Sequence, residues 1–220
     1  MIDFSGTLAE MKGRIAMACP DGMDARALIF AADNAMRSNV CAVSAPPESV
    51  NMLWTWLEKS GIKIFARCQV DGRGFDASKI AAQLHAAFKK GAVGVQLIAA
   101  PDTLNKLAAA LSPVAADLFF GRDLVLMTDL DDVAPSDWDM LFHSLKRINA
   151  KGLGILAGAG ENAAGAVYGM LDSFDSDFAG YLQVISKDSD MLAVENIWRL
   201  IQKMRPETAN KTSFFLEHKQ

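Results

Sequence analysis

Cysteine is sparse in this chain. Three cysteines, Cys19, Cys41 and Cys68, occur in 220 residues, widely spaced and with no C-x-x-C pair. That count and spacing exclude a disulfide framework and a cysteine-based zinc site. Each cysteine falls in an apolar, strand-like run, so each reads as a small core residue in a reducing compartment. Histidine is equally scarce. His85 and His143 lie in helical segments and His218 in the tail, and no zinc motif or histidine acid–base pair can be assembled from them. No stretch concentrates Lys or Arg, and the net charge is −4, so neither nucleic acid nor a membrane surface is an expected partner. No apolar run is long enough to cross a bilayer, and Asp3 and Glu10 stand where a signal peptide would need its apolar core. The expected location is cytoplasmic. A G-x-G-x-x-G turn is also missing. The first apolar run ends in Cys19-Pro20-Asp21-Gly22-Met23-Asp24, which is not a dinucleotide fingerprint, and no cofactor is expected.

What the chain does contain is a rhythm. Runs rich in Val, Ile and Leu alternate with amphipathic helical stretches. Strands are predicted over Arg14–Cys19, Val40–Ser44, Ile62–Val70, Gly94–Ala99, Asp123–Asp129, Gly152–Gly158 and Gly180–Ile185. The helices that follow are predicted over Asp24–Ser38, Glu48–Ser60, Ala77–Lys90, Asp102–Ala116, Ser136–Ala150, Asn162–Phe174 and Asp190–Met204. The repeat is roughly 25–30 residues, the length of one strand–loop–helix–loop unit. Continuous apolar strands fit a parallel sheet buried on both faces. Asp102, Ser136 and Ser189 are expected N-caps, and Gly61, Gly91 and Gly152 expected C′ residues.

Seven such units fit either a (β/α) barrel or an open doubly wound sheet. The missing glycine-rich turn favours a TIM-type barrel, one domain over residues 1–220, with seven clear βα units and an incomplete or atypical eighth. The eighth position is expected to be filled by the tail Thr212–Glu217, by the N-terminal segment or by a second copy of the chain, which leaves a homo-oligomer open.

The stretches VCAVSAPPESV (Val40–Val50), SGIKIFARCQVDGRGF (Ser60–Phe75) and KKGAVGVQLI (Lys89–Ile98), with RIAMACPDGMDARAL (Arg14–Leu28) before them, resemble in order the first strands and turns of the deoxyribose-phosphate aldolases. The resemblance covers about the first half of the chain and implies a class I aldolase barrel. It also implies a Schiff-base lysine on the sixth strand and an aspartate on the fourth. Ile155 stands at the first of these positions and Gln96 at the second, so neither the amine nor the acid of carbinolamine chemistry is where the family would have it.

The active site of such a barrel lies at the C-terminal ends of its strands. That rule selects Cys19, Asp21, Ser44, Arg67, Gln69, Gln96, Thr128, Asp129, Asp131, Asp132, Gln183, Ser186 and Lys187. Arg67 interrupts an apolar run and needs a partner. That partner is either a bound phosphate or carboxylate, or a salt bridge within the barrel, with Asp129 as candidate. The carboxylates of Thr128–Asp132 read as a magnesium-type cluster or as a solvated acidic loop. Gly158 and Gly160, in GAGEN, offer backbone N–H groups to a phosphate, or form a tight turn. Lys187 is a lysine at a strand end, a relocated nucleophile or a solvated charge beside Asp188 and Asp190. Trp54 and Trp56, like Phe30 and Met36, read as helix faces packed on the sheet or at a subunit contact.

Two functions follow. One is an aldolase-like lyase acting on a small phosphorylated or carboxylated metabolite. In that reading Gln96, Asp129 and Lys187 are catalytic, Arg67, Gln69, Ser44, Gly158 and Gly160 bind substrate, and no metal takes part. The other is a non-catalytic, degenerate barrel that binds a small anion or serves as a scaffold.

Overall fold

Each apolar run becomes a parallel strand in the computed structural model, which describes residues 11–72, 74–158, 162–173, 180–187 and 191–218. The strands are β1 (Ile15–Ala18), β2 (Ala42–Ala45), β3 (Lys63–Gln69), β4 (Gly94–Ile98), β5 (Asp123–Asp129), β6 (Gly152–Ala157), β7 (Tyr181–Ser186) and β8 (Ser213–Glu217). They pair in sequence order, all parallel, and β8 returns to β1 to close a barrel. Of the ways to fill the eighth position, the tail is the one found. Phe214 and Phe215 pair with Ile15 and Ala16 on one side and with Val184 and Ile185 on the other. Both sheet edges are thereby satisfied within one chain.

Alternation then divides the side chains into two populations. Ala16, Ala42, Phe65, Val125, Met127, Ile185 and Phe215 form an apolar cluster inside the barrel. Met17, Val43, Ile64, Val95, Leu126 and Val184 face the helices and join the larger outer core. The interior is filled by large side chains opposite small ones. A Cβ on Gly94 would meet the Phe65 ring at 2.6 Å, and one on Gly152 would meet the Tyr181 ring at 2.7 Å. These positions are glycine because neighbouring aromatic rings occupy the space a side chain would take.

The outer layer contains α1 (Ala25–Arg37), α2 (Val50–Leu57), α3 (Ala77–Lys89), α4 (Pro101–Leu111), α5 (Ala115–Leu118), α6 (Asp137–Arg147), α7 (Asn162–Asp172), α8 (Met191–Met204) and α9 (Pro206–Ala209). Several boundaries differ from the predicted ones. The helix expected over Asp102–Ala116 breaks at a 3₁₀ turn, Ser112–Val114, because Pro113 lacks the N–H that an α-helix would need there. Asp102 lies inside the first turn of α4, paired with Lys106 at 2.6 Å, and Ala100 is the cap residue. Ser136 precedes α6 but makes no side-chain cap bond, and Ser189 lies outside the described residues. Among the described residues, α1 is capped by the side chain of Asp24, which accepts from Ala27 N–H, and α3 by that of Asp76, which accepts from Ser78 and Lys79 N–H. Gly91 directly follows the Lys90 cap of α3 with φ +107°, whereas Gly152 is the first residue of β6. Asn149 takes the left-handed position after α6, with φ 51°.

Trp54 and Trp56 do not pack on the sheet. Both stay exposed on α2, as Phe30 and Met36 do on α1. Among the described residues no helix is long and apolar enough to cross a membrane.

Candidate functional site

β3 brings a charge to the mouth of the barrel. Arg67 sits in register with Gln96 of β4, and its alternation aims it toward the axis rather than toward the helices. Its Nη2 donates to the carbonyl of Cys19, at the end of β1, at 2.7 Å and to Asp21 Oδ1 at 2.9 Å. The ion-pair partner is therefore Asp21 and not Asp129. Asp129 ends β5, on the far side of β4, and is engaged elsewhere.

That other engagement is with Lys187, which follows β7. Its ammonium pairs with Asp129 and, at 3.2 Å, with Asp131. Partial burial by itself would lower the lysine pKa. The hydrogen bonds and charges of Asp129 and Asp131 together outweigh it and hold Lys187 above its ordinary value. Asp129 also accepts from the Asp131 N–H at 3.1 Å, which fixes the acidic turn beneath the lysine. The acidic run is thus the seat of an ammonium. Among the described residues, no three His, Cys, Asp or Glu side chains group as metal ligands.

β3 and β7 stand opposite each other in an eight-stranded ring, so Arg67 and Lys187 approach from opposite walls. Both line a cavity of about 270 Å³ at the strand ends. Gln69, Asp21 and Glu217 add polar groups to its wall, and Ile98, Leu156 and Ile185 form its apolar floor. A second, shallower groove of about 450 Å³ opens toward α3. It is lined by Pro46, Pro47, Gln83 and Lys90, and it shares Asp21, Arg67 and Gln69 with the central cavity.

Beneath the mouth lies an uncharged polar chain. Ser44 Oγ donates to Gln96 Oε1 at 2.5 Å, and Gln96 Nε2 donates to Gln183 Oε1 at 2.6 Å. All three residues are buried. A buried amide needs its partners, and here each is supplied by another strand.

The structure therefore gathers Arg67, Gln69 and Lys187 at one cavity, with Asp129 behind Lys187. Ser44 and Gln96 lie in the layer below and are not part of its wall. Gly158 follows β6 and is not part of the wall either. Gly160 and the neighbouring Glu161 lie outside the described residues, as do Asp188 and Asp190. Ile155 faces the outer core, so the residues of β6 turned toward the axis are Gly152, Gly154 and Leu156. Ile155 is thus not an axial position, and no position of β6 is a lysine. Glu217 was not among the predicted residues. The signal that locates it is the alternation in Ser213–Glu217 once that segment is read as a strand.

Burial pushes the Cys19 thiol up to about 12, against a smaller opposing effect of the Arg67 charge. It pushes Cys68 up to about 12 as well. Neither is a thiolate nucleophile at neutral pH.

No family model matches the sequence, and no curated protein sequence matches it. Solved structures do match in fold. A Toxoplasma gondii ME49 protein assigned as a deoxyribose-phosphate aldolase superimposes with a TM-score of 0.78 at 12% identity, over 94% of this chain and 89% of that one. The tetrameric deoxyribose-phosphate aldolase of Aeropyrum pernix gives 0.69 at 9% identity, over 93% and 85%. An oxaloacetate acetylhydrolase solved with oxalate gives 0.60 at 12% identity, over 91% and 74%. At these identities the likeness is one of fold, that of a closed (β/α) barrel.

Proposed function

We propose that this chain is a divergent aldolase-like barrel that binds a small phosphorylated or carboxylated metabolite at the strand ends and acts on it in the manner of a lyase. The observation that carries the reading is the placement of Arg67, a nearly buried guanidinium, in the wall of a cavity large enough for a few-carbon anion. Among the described residues both of its side-chain bonds use Nη2, which leaves the other N–H groups of the fork for an anion's oxygens.

In this reading Arg67 fixes the anionic end of the substrate, and Gln69 supplies a neutral donor or acceptor beside it. Aldol-type cleavage of the bond between the α and β carbons of a hydroxycarbonyl compound leaves the bonding pair as an enolate with its charge on the carbonyl oxygen, while the β-hydroxyl gives its proton to water and its carbon departs as an aldehyde. Lys187, protonated and held by Asp129, is the cation on the opposite wall that would receive that charge. Asp129 positions Lys187. Gln96 and Ser44 act through the layer that supports Arg67. The likeness in fold to aldolases and to an acetylhydrolase supports the class of chemistry and says nothing of the substrate.

A second reading, a binding barrel without catalysis, is favoured by one observation. The layer directly beneath the cavity, Ser44–Gln96–Gln183, contains no group that takes up or releases a proton at neutral pH. The proposal also includes self-association through the exposed faces of α1 and α2, where Phe30, Met36, Trp54 and Trp56 lie. Sedimentation velocity reads that property directly.

The test of the site is a calorimetric titration with inorganic phosphate, small sugar phosphates and two- to four-carbon carboxylates, for the native chain and for Arg67→Leu. Saturable binding that weakens at least about tenfold in the variant, a difference of about 1.4 kcal/mol, is expected. Binding that ignores Arg67, or none at all, would overturn the reading. Turnover of any bound compound to two carbon fragments separates the lyase from the binding barrel.

A further inference from the structure

The cavity contains two cations, and each is already met by carboxylates. The two arrangements are not equivalent. Lys187 is backed by Asp129, which is itself mostly buried and tied to the Asp131 backbone. Arg67 is only 16% exposed, whereas its counter-ion Asp21 is 74% exposed. Asp21 sits in the turn between β1 and α1, followed by Gly22 in the left-handed region at φ +75°, and among the described residues its carboxylate bonds to Arg67 alone. Swinging that carboxylate into water therefore breaks one ion pair and uncovers a guanidinium whose lost counter-charge only an entering anion restores. Arg67 would not follow, because the Cys19 carbonyl still holds Nη2 at 2.7 Å. Asp21 also borders both the central cavity and the outer groove, at their common edge.

We infer that Asp21 is a displaceable counter-ion that sets the affinity and selectivity of the Arg67 site. Any anion entering the cavity competes with a carboxylate already on the guanidinium. The site therefore discriminates against weakly held monoanions and admits ligands with enough acceptor oxygens to take over the fork. When Asp21 leaves, the wall between the cavity and the groove is thinned. The anionic end of a ligand then rests on Arg67 while its remaining length extends along Pro46, Gln83 and Lys90. This inference rests on the anion-binding reading of Arg67 and adds a residue that opposes it.

The experiment is a phosphate titration of the full chain at fixed ionic strength, comparing the native protein with Asp21→Asn, Asp21→Ala, Arg67→Leu and the double variant Asp21→Asn/Arg67→Leu. Asparagine keeps the shape of the turn residue and removes its charge. Both Asp21 variants should bind inorganic phosphate about three- to tenfold more tightly, the range left by removing one partly screened ion pair. The gain should shrink as ionic strength rises. The double variant should bind no better than Arg67→Leu alone. Thermal unfolding of each variant confirms that the barrel is intact, and the exposed position of Asp21 makes that the expected outcome. Unchanged or weakened phosphate affinity in both Asp21 variants, with Arg67→Leu still abolishing binding, would overturn the counter-ion role and leave the anion site standing. Binding unaffected by Arg67→Leu would remove the site and this inference with it.

Discussion

Gln96 and Gln183 are joined amide to amide at 2.6 Å across the inside of the barrel, from β4 to β7, although 87 residues separate them in sequence. Ser44 adds β2 to the same chain. An apolar side chain at Gln96 would strand the Ser44 hydroxyl without its acceptor and the Gln183 oxygen without its donor. Gln96→Leu should therefore lower stability by about 2–4 kcal/mol in urea denaturation. Replacing Gln96 and Gln183 together by leucine should be less damaging than the sum of the two single changes, because the second change removes a group already orphaned. Additive losses would show that the two amides are not energetically coupled.

The closure of the barrel by β8 gives a second expectation. Phe214 and Phe215 are fully buried on opposite faces of the strand, one against Trp198 in the outer core and one against Phe65 inside the barrel. Phe215→Ala should destabilise by about 3–5 kcal/mol. Removal of residues 211–220 should abolish cooperative unfolding, since β1 and β7 would both be left as open edges. A truncated chain that unfolds with an unchanged midpoint would contradict the topology.

Most of the architecture was legible because period is a local property. The strand over Asp123–Asp129 was predicted to the residue, and the other six lie within the predicted runs or overrun them by one residue. The eighth strand was harder to read, because TSFFLE follows a short helix and has no following unit to confirm it. The site was legible only in part. Arg67 announced itself as a charge inside an apolar run. Its partner Asp21 did not, because the choice between Asp21 and Asp129 depends on which strand end the guanidinium reaches, and spacing cannot decide that. Ile155 shows the same limit. A register error of one residue turns an outward position into an inward one, and sequence alone does not fix which way a strand of Gly, Leu and Ile is turned.

The cysteines give a prediction about reactivity. Burial raises all three thiols, Cys19 and Cys68 to about 12. At pH 8 roughly one part in ten thousand of a pKa-12 thiol is thiolate, and only the thiolate attacks. A disulfide reagent such as 5,5′-dithiobis(2-nitrobenzoate) should label Cys19 and Cys68 in the folded chain only at the rate of unfolding. Three equivalents should appear in denaturant. Rapid labelling of Cys19 in the native protein would mean that the β1 end opens readily, which the Arg67 bond to its carbonyl argues against.

The last prediction concerns the lysine at the mouth. No residue of β6 is a lysine, and Lys187 is held charged by Asp129 and Asp131. A Schiff base requires a neutral amine, so carbonyl compounds should form no stoichiometric adduct on Lys187 at neutral pH. The same raised pKa fixes the direction of a linkage. A base whose folded-state pKa is raised contributes stability that is fully present below its unfolded value. That stability is lost as pH climbs through the folded value. The stability difference between the native chain and Lys187→Met should therefore be flat through neutrality and disappear only in the alkaline range above the ordinary lysine pKa. Because the pair is partly exposed, the difference at neutral pH should be no more than about 1 kcal/mol. The chemical arm incubates the protein with small aldehydes and ketones, reduces with borohydride and weighs the intact chain. One adduct per chain on Lys187 would show that substrate binding removes its proton despite the two carboxylates, and would move the Schiff-base nucleophile from β6 to the end of β7.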